Sequence, residues 1–272
     1  MKGKSTVKIG LLVVFLSVAL YIGDMFLGNP ISYGIVKWHS QRYLQETYPQ
    51  WDLRVDSIYH DWYSGGGYDV RVVSDTSRDT RFELAYGRLG NLHWDGYEMM
   101  VASGRSTLSR LYDEYDALVA DALKGVYDSN GRKAGLYVVD EYTGEPGPLT
   151  VGLDMVDLGL NMAELELDRD YDMAALGAEY GYLDVCLYVA EEELNTQAAA
   201  GRLLEIKNAM EQAEVGFVAI DLFMTVENTK DSSQSLGIKG ITPADLEAEN
   251  VPARLEEMRL EQLAYWNGPK TE

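Results

Sequence analysis

The stretch that most constrains this chain is at its start. From Ile9 to Gly23 no side chain is charged, and after Asp24 the apolar character resumes in Met25, Phe26 and Leu27. As a helix, residues 9–27 would reach about 28 Å at ~1.5 Å per residue, close to the hydrocarbon thickness of a bilayer. Lys2, Lys4 and Lys8 precede the run. Because an excess of positive charge stays on the cytoplasmic side, the sequence predicts a single-pass signal-anchor in the cell membrane, with the N-terminus cytoplasmic and the C-terminal domains extracellular. A cleaved secretory signal would use the same basic tail and apolar core, with Ser17, Val18 and Ala19 supplying small residues around a cut. The continuation through Tyr21 and Ile22 suits an uncleaved transmembrane helix better. Cys186 lies far downstream, so no thiol near the anchor is available to carry a lipid.

Beyond residue 28 the chain keeps 20 basic and 43 acidic side chains, a formal charge of −23. Such a body repels polyanions, which argues against nucleic acid and anionic headgroups as its partners and leaves cations and basic proteins electrostatically acceptable. About 245 residues are enough for two domains with their own cores. One cysteine allows no intramolecular disulfide, so the fold must be held by burial. Cys186 itself lies in the apolar series Leu183, Val185, Leu187, Val189 and is expected to be a small strand residue.

Gly28, Asn29 and Pro30 form a turn that ends the anchor. From Ile31 to Tyr48 a helix is expected, with Ile35, Val36, Tyr43 and Leu44 on one stripe beside Ser40 and Thr47, until Pro49 stops it. Three strands should follow, since Trp51, Leu53 and Val55 alternate with polar residues, as do Tyr68, Val70, Val72 and then Phe82, Leu84, Tyr86. The run Ser64–Gly67 reads as a hairpin turn and Asp75–Asp79 as a second. The result is an α-β-β-β domain over residues 29–100.

The order of these features resembles the YfjL-like proteins of Gram-positive bacteria. It is carried by the apolar anchor, Gly28-Asn29-Pro30, the helix closing on Tyr43-Leu44 and Tyr48-Pro49, then Tyr68-Asp69-Val70 and Asp79 with Phe82. The family is uncharacterised, and the resemblance implies modules of a helix packed on an antiparallel sheet, of the PepSY or cystatin-like kind. It implies no catalytic, cofactor-binding or metal-ligating residue.

Past Gly104, Leu108, Leu111, Tyr115, Leu118, Ala122 and Val126 recur at steps of three or four and mark the clearest helix in the chain. Strands are expected at Leu136–Tyr142, Tyr182–Ala190 and Phe217–Val226, with helices at Tyr171–Glu179 and Thr196–Ala213. This alternation suggests a second α+β sandwich over residues 104–228, for which a ferredoxin-like order is one arrangement. Residues 145–167 fit neither template beyond a short strand near Leu165. The remainder, 229–272, is expected to be a loop and helices: Lys230–Ser235 is polar, Thr242-Pro243-Ala244-Asp245 opens a short helix, and Pro252–Trp266 carries Leu255, Met258, Leu263 and Trp266 on one side.

Little here points to catalysis. Asp168, Asp170, Asp172 and Glu179 occupy positions 1, 3, 5 and 12 of a calcium-loop frame, but position 6, which requires glycine, holds Met173, and Ala174-Ala175 look like a helix already begun. Aspartates at a helix start favoured by its dipole are the simpler reading. The three histidines, His39, His60 and His93, each sit within two residues of a tryptophan and would have to converge to hold a metal. No Gly-x-Ser-x-Gly elbow or His-Glu-x-x-His helix is present, and Gly65-Gly66-Gly67 lacks a phosphate loop's lysine. Aromatic residues are abundant between Trp38 and Tyr142, as in binding surfaces and in strands alike. The expectation is therefore a membrane-anchored, extracytoplasmic, non-enzymatic protein of the bacterial cell envelope that binds a protein or peptide ligand or serves a structural role, with no cofactor and no nucleic acid. A regulatory or sensing module, for example one restraining an extracellular protease, is the alternative, and an enzyme of unrecognised type ranks below it.

Overall fold

The computed structural model describes residues 15, 18, 22–23, 28–63, 66–126, 132–136, 160–226 and 235–267. The fold is α+β, with two four-stranded sheets and several helices. Two compact units divide the chain: residues 1–107 with the short return Leu165–Asp168, and residues 108–164 with 169–272. Among the described residues no helix is long and apolar enough to cross a membrane. Apart from Phe15, Val18, Ile22 and Gly23, the predicted anchor over 9–27 lies outside the described residues.

In the first unit, α1 (Pro30–Thr47) is followed by β1 (Leu53–Asp61), β2 (Gly67–Ser74), β3 (Arg81–Tyr86) and β4 (Leu92–Asp95), which pair in sequence order as an antiparallel meander. Asn29 caps α1 by accepting from the Ser32 amide at 2.8 Å, and Pro30 fills the first turn, where a missing N–H costs nothing. The buried stripe of α1 is Ser32, Val36, Ser40 and Leu44, every fourth residue. Two of these four are serines, small enough to let the helix lie close to the sheet. Facing them are Tyr68, Val70 and Val72 of β2 and Phe82, Leu84 and Tyr86 of β3.

Two features of this sheet differ from the sequence expectation. The first strand runs on to Asp61, because a bulge between Val55 and Ser57 adds one residue and reverses the parity. Leu53 and Val55 face the core before it, and Ile58 and His60 after it, so a strict period of two loses the second half. The fourth strand has no buried side chain, which is why its sequence carries no alternation. Its last residue nevertheless ties the unit together. Asp95 Oδ2 accepts from both the Tyr43 and the Tyr48 hydroxyls at 2.7 Å, and Asp95 Oδ1 accepts from the Tyr97 amide at 2.8 Å. Burial first, then the hydrogen-bonded Asp95 carboxylate, pushes both phenols above their ordinary value, so both stay neutral donors.

The second unit is built on α2 (Arg105–Ala122, whose first three residues group with the first unit), β5 (Arg132–Leu136), α3 (Met173–Tyr180), β6 (Gly181–Val189), α4 (Thr196–Gln212), β7 (Ala219–Val226), β8 (Ser235–Ile241) and α5 (Val251–Asn267). The sheet order is again sequential, β5-β6-β7-β8, with only the β6–β7 pair parallel. Adjacency of β6 and β7 across the α4 crossover rules out the ferredoxin-like arrangement, whose split β-α-β unit inserts another strand there. Two further corrections concern strands. Residues 229–272 are not only loop and helices, since β8 supplies the sheet's edge, and no strand forms at Leu165. Of the strand expected at Leu136–Tyr142 only Leu136 is described, as the last residue of β5, and residues 137–142 lie outside the described residues.

Alternation decides the two faces of this sheet. Leu183, Val185, Leu187 and Val189 of β6 and Ile220, Leu222 and Met224 of β7 are buried, as are Leu203, Ile206 and Met210 of the crossover helix α4. At one end Tyr115 of α2 is fully buried, its ring lying so close to Gly177 that a Cβ there would be 2.5 Å from Tyr115 Cε2. Its hydroxyl donates to the Gly216 carbonyl at 2.8 Å. The opening predicted at Thr242 forms as a 3-10 turn at Asp245–Glu247, with Thr242 N and Oγ1 both donating to Asp245 Oδ2 and Arg254 Nε donating to Asp245 Oδ1.

Replacing Asp95 by alanine removes the shared acceptor of two half-buried phenols and should cost about 2–3 kcal/mol, as for hydrogen bonds to a charged group. Urea unfolding of the Asp95→Ala variant measures this, and a midpoint unchanged from the parent would show that α1 is held by its apolar stripe alone.

Candidate functional site

The face of the second sheet opposite its buried apolar rows is built by the alternate residues of the same strands. Parallel register places Tyr182 beside Ala219, Asp184 beside Asp221, Cys186 beside Phe223 and Tyr188 beside Thr225. Gly237 of β8 pairs with Phe223. Exposure grows along this face: Tyr182 is buried, packed with Ala219 against Tyr112 of α2, whereas Phe223 and Tyr188 are 45% and 66% exposed. Between them, a cleft of about 400 Å³ is lined by Tyr182, Asp184, Asp221, Phe223, Lys239 and Arg259, among others. Arg259 comes from α5, which is tied to the β8 edge by Gln262: its side chain accepts from the Lys239 amide and donates to the Lys239 carbonyl.

Asp184 and Asp221 are the single charged residues of their strands. Asp221 Oδ1 accepts from the Gly240 amide at 2.8 Å. Burial raises its pKa, the Gly240 hydrogen bond and Lys239 oppose the rise, and Asp184 adds to it. Burial, then Asp184 and Asp221, pushes the Tyr182 phenol up to about 12. The Cys186 thiol is likewise raised by burial and by Asp184, which keeps it protonated and poorly nucleophilic. All three histidines of the chain precede residue 94, so none belongs to this unit. The cleft thus offers the exposed Phe223 ring, two carboxylates, Lys239 and an Arg259 whose guanidinium is paired with Glu256, a set suited to holding a ligand that is part apolar and part polar.

The carboxylates singled out from sequence are used otherwise. Asp168 and Asp79 clasp each other reciprocally: the Asp168 amide donates to Asp79 Oδ2 at 2.8 Å, and the Asp79 amide donates to Asp168 Oδ1 at 3.1 Å. Ser77 Oγ also donates to Asp168 Oδ1, and Asp168 adopts φ +60°. Asp172 caps α3, accepting from the Ala174 and Ala175 amides. Glu179 accepts from the Tyr180 hydroxyl. Among the described residues no group of three His, Cys, Asp or Glu side chains could hold a metal ion. His39 lies under Gly90, His60 packs on Tyr68 with ring centroids 5.2 Å apart, and His93 contacts Asn91.

Sequence reasoning passed over Asp184, Asp221, Lys239 and Arg259. For the first two a signal exists, a lone charge inside an otherwise apolar strand. The two cations come from β8 and α5, and only the tertiary fold brings them to the sheet.

Two family profiles match the chain: the YfjL-like N-terminal domain over residues 3–96 and the YfjL-like C-terminal domain over residues 138–256. The chain belongs to the YfjL-like family. No curated protein matches it. A crystal structure of a DUF5037 family protein from Ruminococcus gnavus ATCC 29149 is similar at 12% identity, over 81% of this chain and 87% of that chain, with a TM-score of 0.22. A likeness that weak carries no argument about fold or function.

The Asp221→Asn variant keeps an acceptor for Gly240 while removing a charge that burial disfavours. A carboxyl whose folded pKa is raised lowers stability at pH above that pKa, and the loss disappears as pH falls through the carboxylate range. Asp221→Asn should therefore melt at a higher temperature than the parent at pH 7, with the difference shrinking on acidification. A variant that melts lower at pH 7 would mean that the Lys239 attraction outweighs burial.

Proposed function

We propose that this member of the YfjL-like family is a membrane-anchored, extracytoplasmic binding protein of the cell envelope that performs no catalysis. Residues 9–27 serve as a single-pass signal-anchor, with the basic tail cytoplasmic and both folded units outside. The open face of the second sheet takes a protein or peptide ligand. The observation that carries the reading is that face itself: Tyr188 and Phe223 lie exposed on neighbouring strands beside a cleft with polar groups of both signs, the aromatic-centred composition of a recognition surface. Support for the non-enzymatic part comes from the raised Cys186 thiol and from the lack of any histidine beyond His93, which leave this face without a thiolate–imidazole pair. The anchor rests on the length of the apolar run and the three lysines before it.

Two measurements test this. The full chain should stay with membranes through an alkaline carbonate wash, and protease added outside intact protoplasts should digest both units. Release into the wash would overturn the anchor. Membrane pull-down should then yield one stoichiometric partner that a Tyr188→Ala/Phe223→Ala variant loses by about 30-fold or more, the scale of a ~2 kcal/mol hot spot. No partner, together with turnover in a broad hydrolase screen, would overturn the binding reading.

A further inference from the structure

One end of the first unit is where the chain enters from the apolar run. Gly28 lies against that end at φ +68°, so close that a Cβ on it would sit 2.8 Å from Tyr68 Oη and 3.0 Å from His60 Cδ2. Tyr68 Oη accepts from the Asn29 amide at 3.0 Å and donates to the Asn29 carbonyl at 3.2 Å. His60, Tyr68 and Tyr86 are register partners across β1, β2 and β3. An antiparallel meander returns its β1–β2 and β3–β4 turns to the same end and its β2–β3 turn to the other. The β1–β2 and β3–β4 turns therefore lie at the end of the sheet that Gly28 meets, the second of them against Ile35 and His39 of α1 through Gly90.

What those elements display there is apolar. Ile31, in the first turn of α1, is 75% exposed, and Tyr63 in the β1–β2 turn and Leu89 in the β3–β4 turn are 81% and 80% exposed. Trp62, also exposed, stacks on Tyr63 with ring centroids 3.8 Å apart. Arg88 Nε donates to the Gly66 carbonyl at 2.9 Å, which ties the two turns side by side. Asp61, at this rim, accepts from the Tyr63 amide and so turns the hairpin. Large exposed apolar side chains scattered singly need no explanation. Four of them around a single point of chain entry do.

We infer that Ile31, Trp62, Tyr63 and Leu89 form a lipid-docking rim that seats in the headgroup region of the bilayer from which residue 28 emerges. Tryptophan and tyrosine favour that interface, where one part of the ring is dry and the other wet, and an arginine beside them can extend its charge to the headgroups. The Asn29–Tyr68 pair fixes the chain to the sheet two residues past the end of the apolar run. Docking is thereby intramolecular, and even weak individual contacts are occupied at high effective concentration. The strands of the first sheet then stand away from the membrane, and the turn that carries Asp79 marks the far end. This inference rests on the anchored reading of residues 9–27.

The test uses the full chain reconstituted in phosphatidylcholine vesicles that contain a headgroup-spin-labelled lipid. The chain should float with the vesicles. Its tryptophan emission should be quenched, Trp62→Phe should remove at least half of that quenching, and Tyr63→Trp should increase it, with melting midpoints unchanged in both variants. Flotation with quenching that is indifferent to both substitutions would overturn the rim and leave the anchor standing. A chain that does not float would overturn both.

Discussion

A pair of hydrogen bonds between one phenol and one peptide unit fixes where the chain enters the first unit. Tyr68 is buried at the start of β2, and its hydroxyl serves both the N–H and the C=O of Asn29. Asn29 has in turn spent its side chain on capping α1. The residue that starts the helix is thus also the residue that meets the sheet. A chain held at both backbone atoms cannot swivel at Asn29. On the anchored reading proposed above, that contact is what would hold the Trp62–Tyr63 turn at the lipid surface.

At the other end of the same sheet, the Asp79–Asp168 clasp brings residues from far apart in sequence into one turn. Each carboxylate accepts from the other residue's amide, and aspartate is among the few residues that tolerate the left-handed conformation Asp168 adopts. What looked in sequence like the first ligand of a calcium loop is a fastening of the chain. The same carboxylate chemistry serves both uses, and spacing alone does not distinguish them.

Much of the fold was legible because burial imposes its period directly. The α1 stripe through Val36 and Leu44, the alternation of Val70 with Val72 and of Leu183 with Val185, and Leu108, Leu111 and Tyr115 of α2 follow from one buried face, whereas further along the burial passes to Val119 and Leu123 in place of the expected Leu118 and Val126. The misses have specific causes. The bulge after Val55 reversed parity in mid-strand, β4 buries no side chain, and the Ser235–Ile241 strand holds two glycines and a lysine among its apolar residues. The cleft was less legible than the fold, since Asp184 and Asp221 meet only because two strands separated by a helix lie side by side in parallel. No local pattern records that adjacency.

The mounting can be tested at a single amide. With the full chain in a bilayer, hydrogen exchange at the Asn29 N–H should be slowed by orders of magnitude relative to unstructured chain and should approach that of Val70 in the middle of β2, because both donors are fixed within one cooperative unit. Exchange at the rate of an unstructured peptide would contradict it, and would mean that a free swivel separates the apolar run from the folded unit.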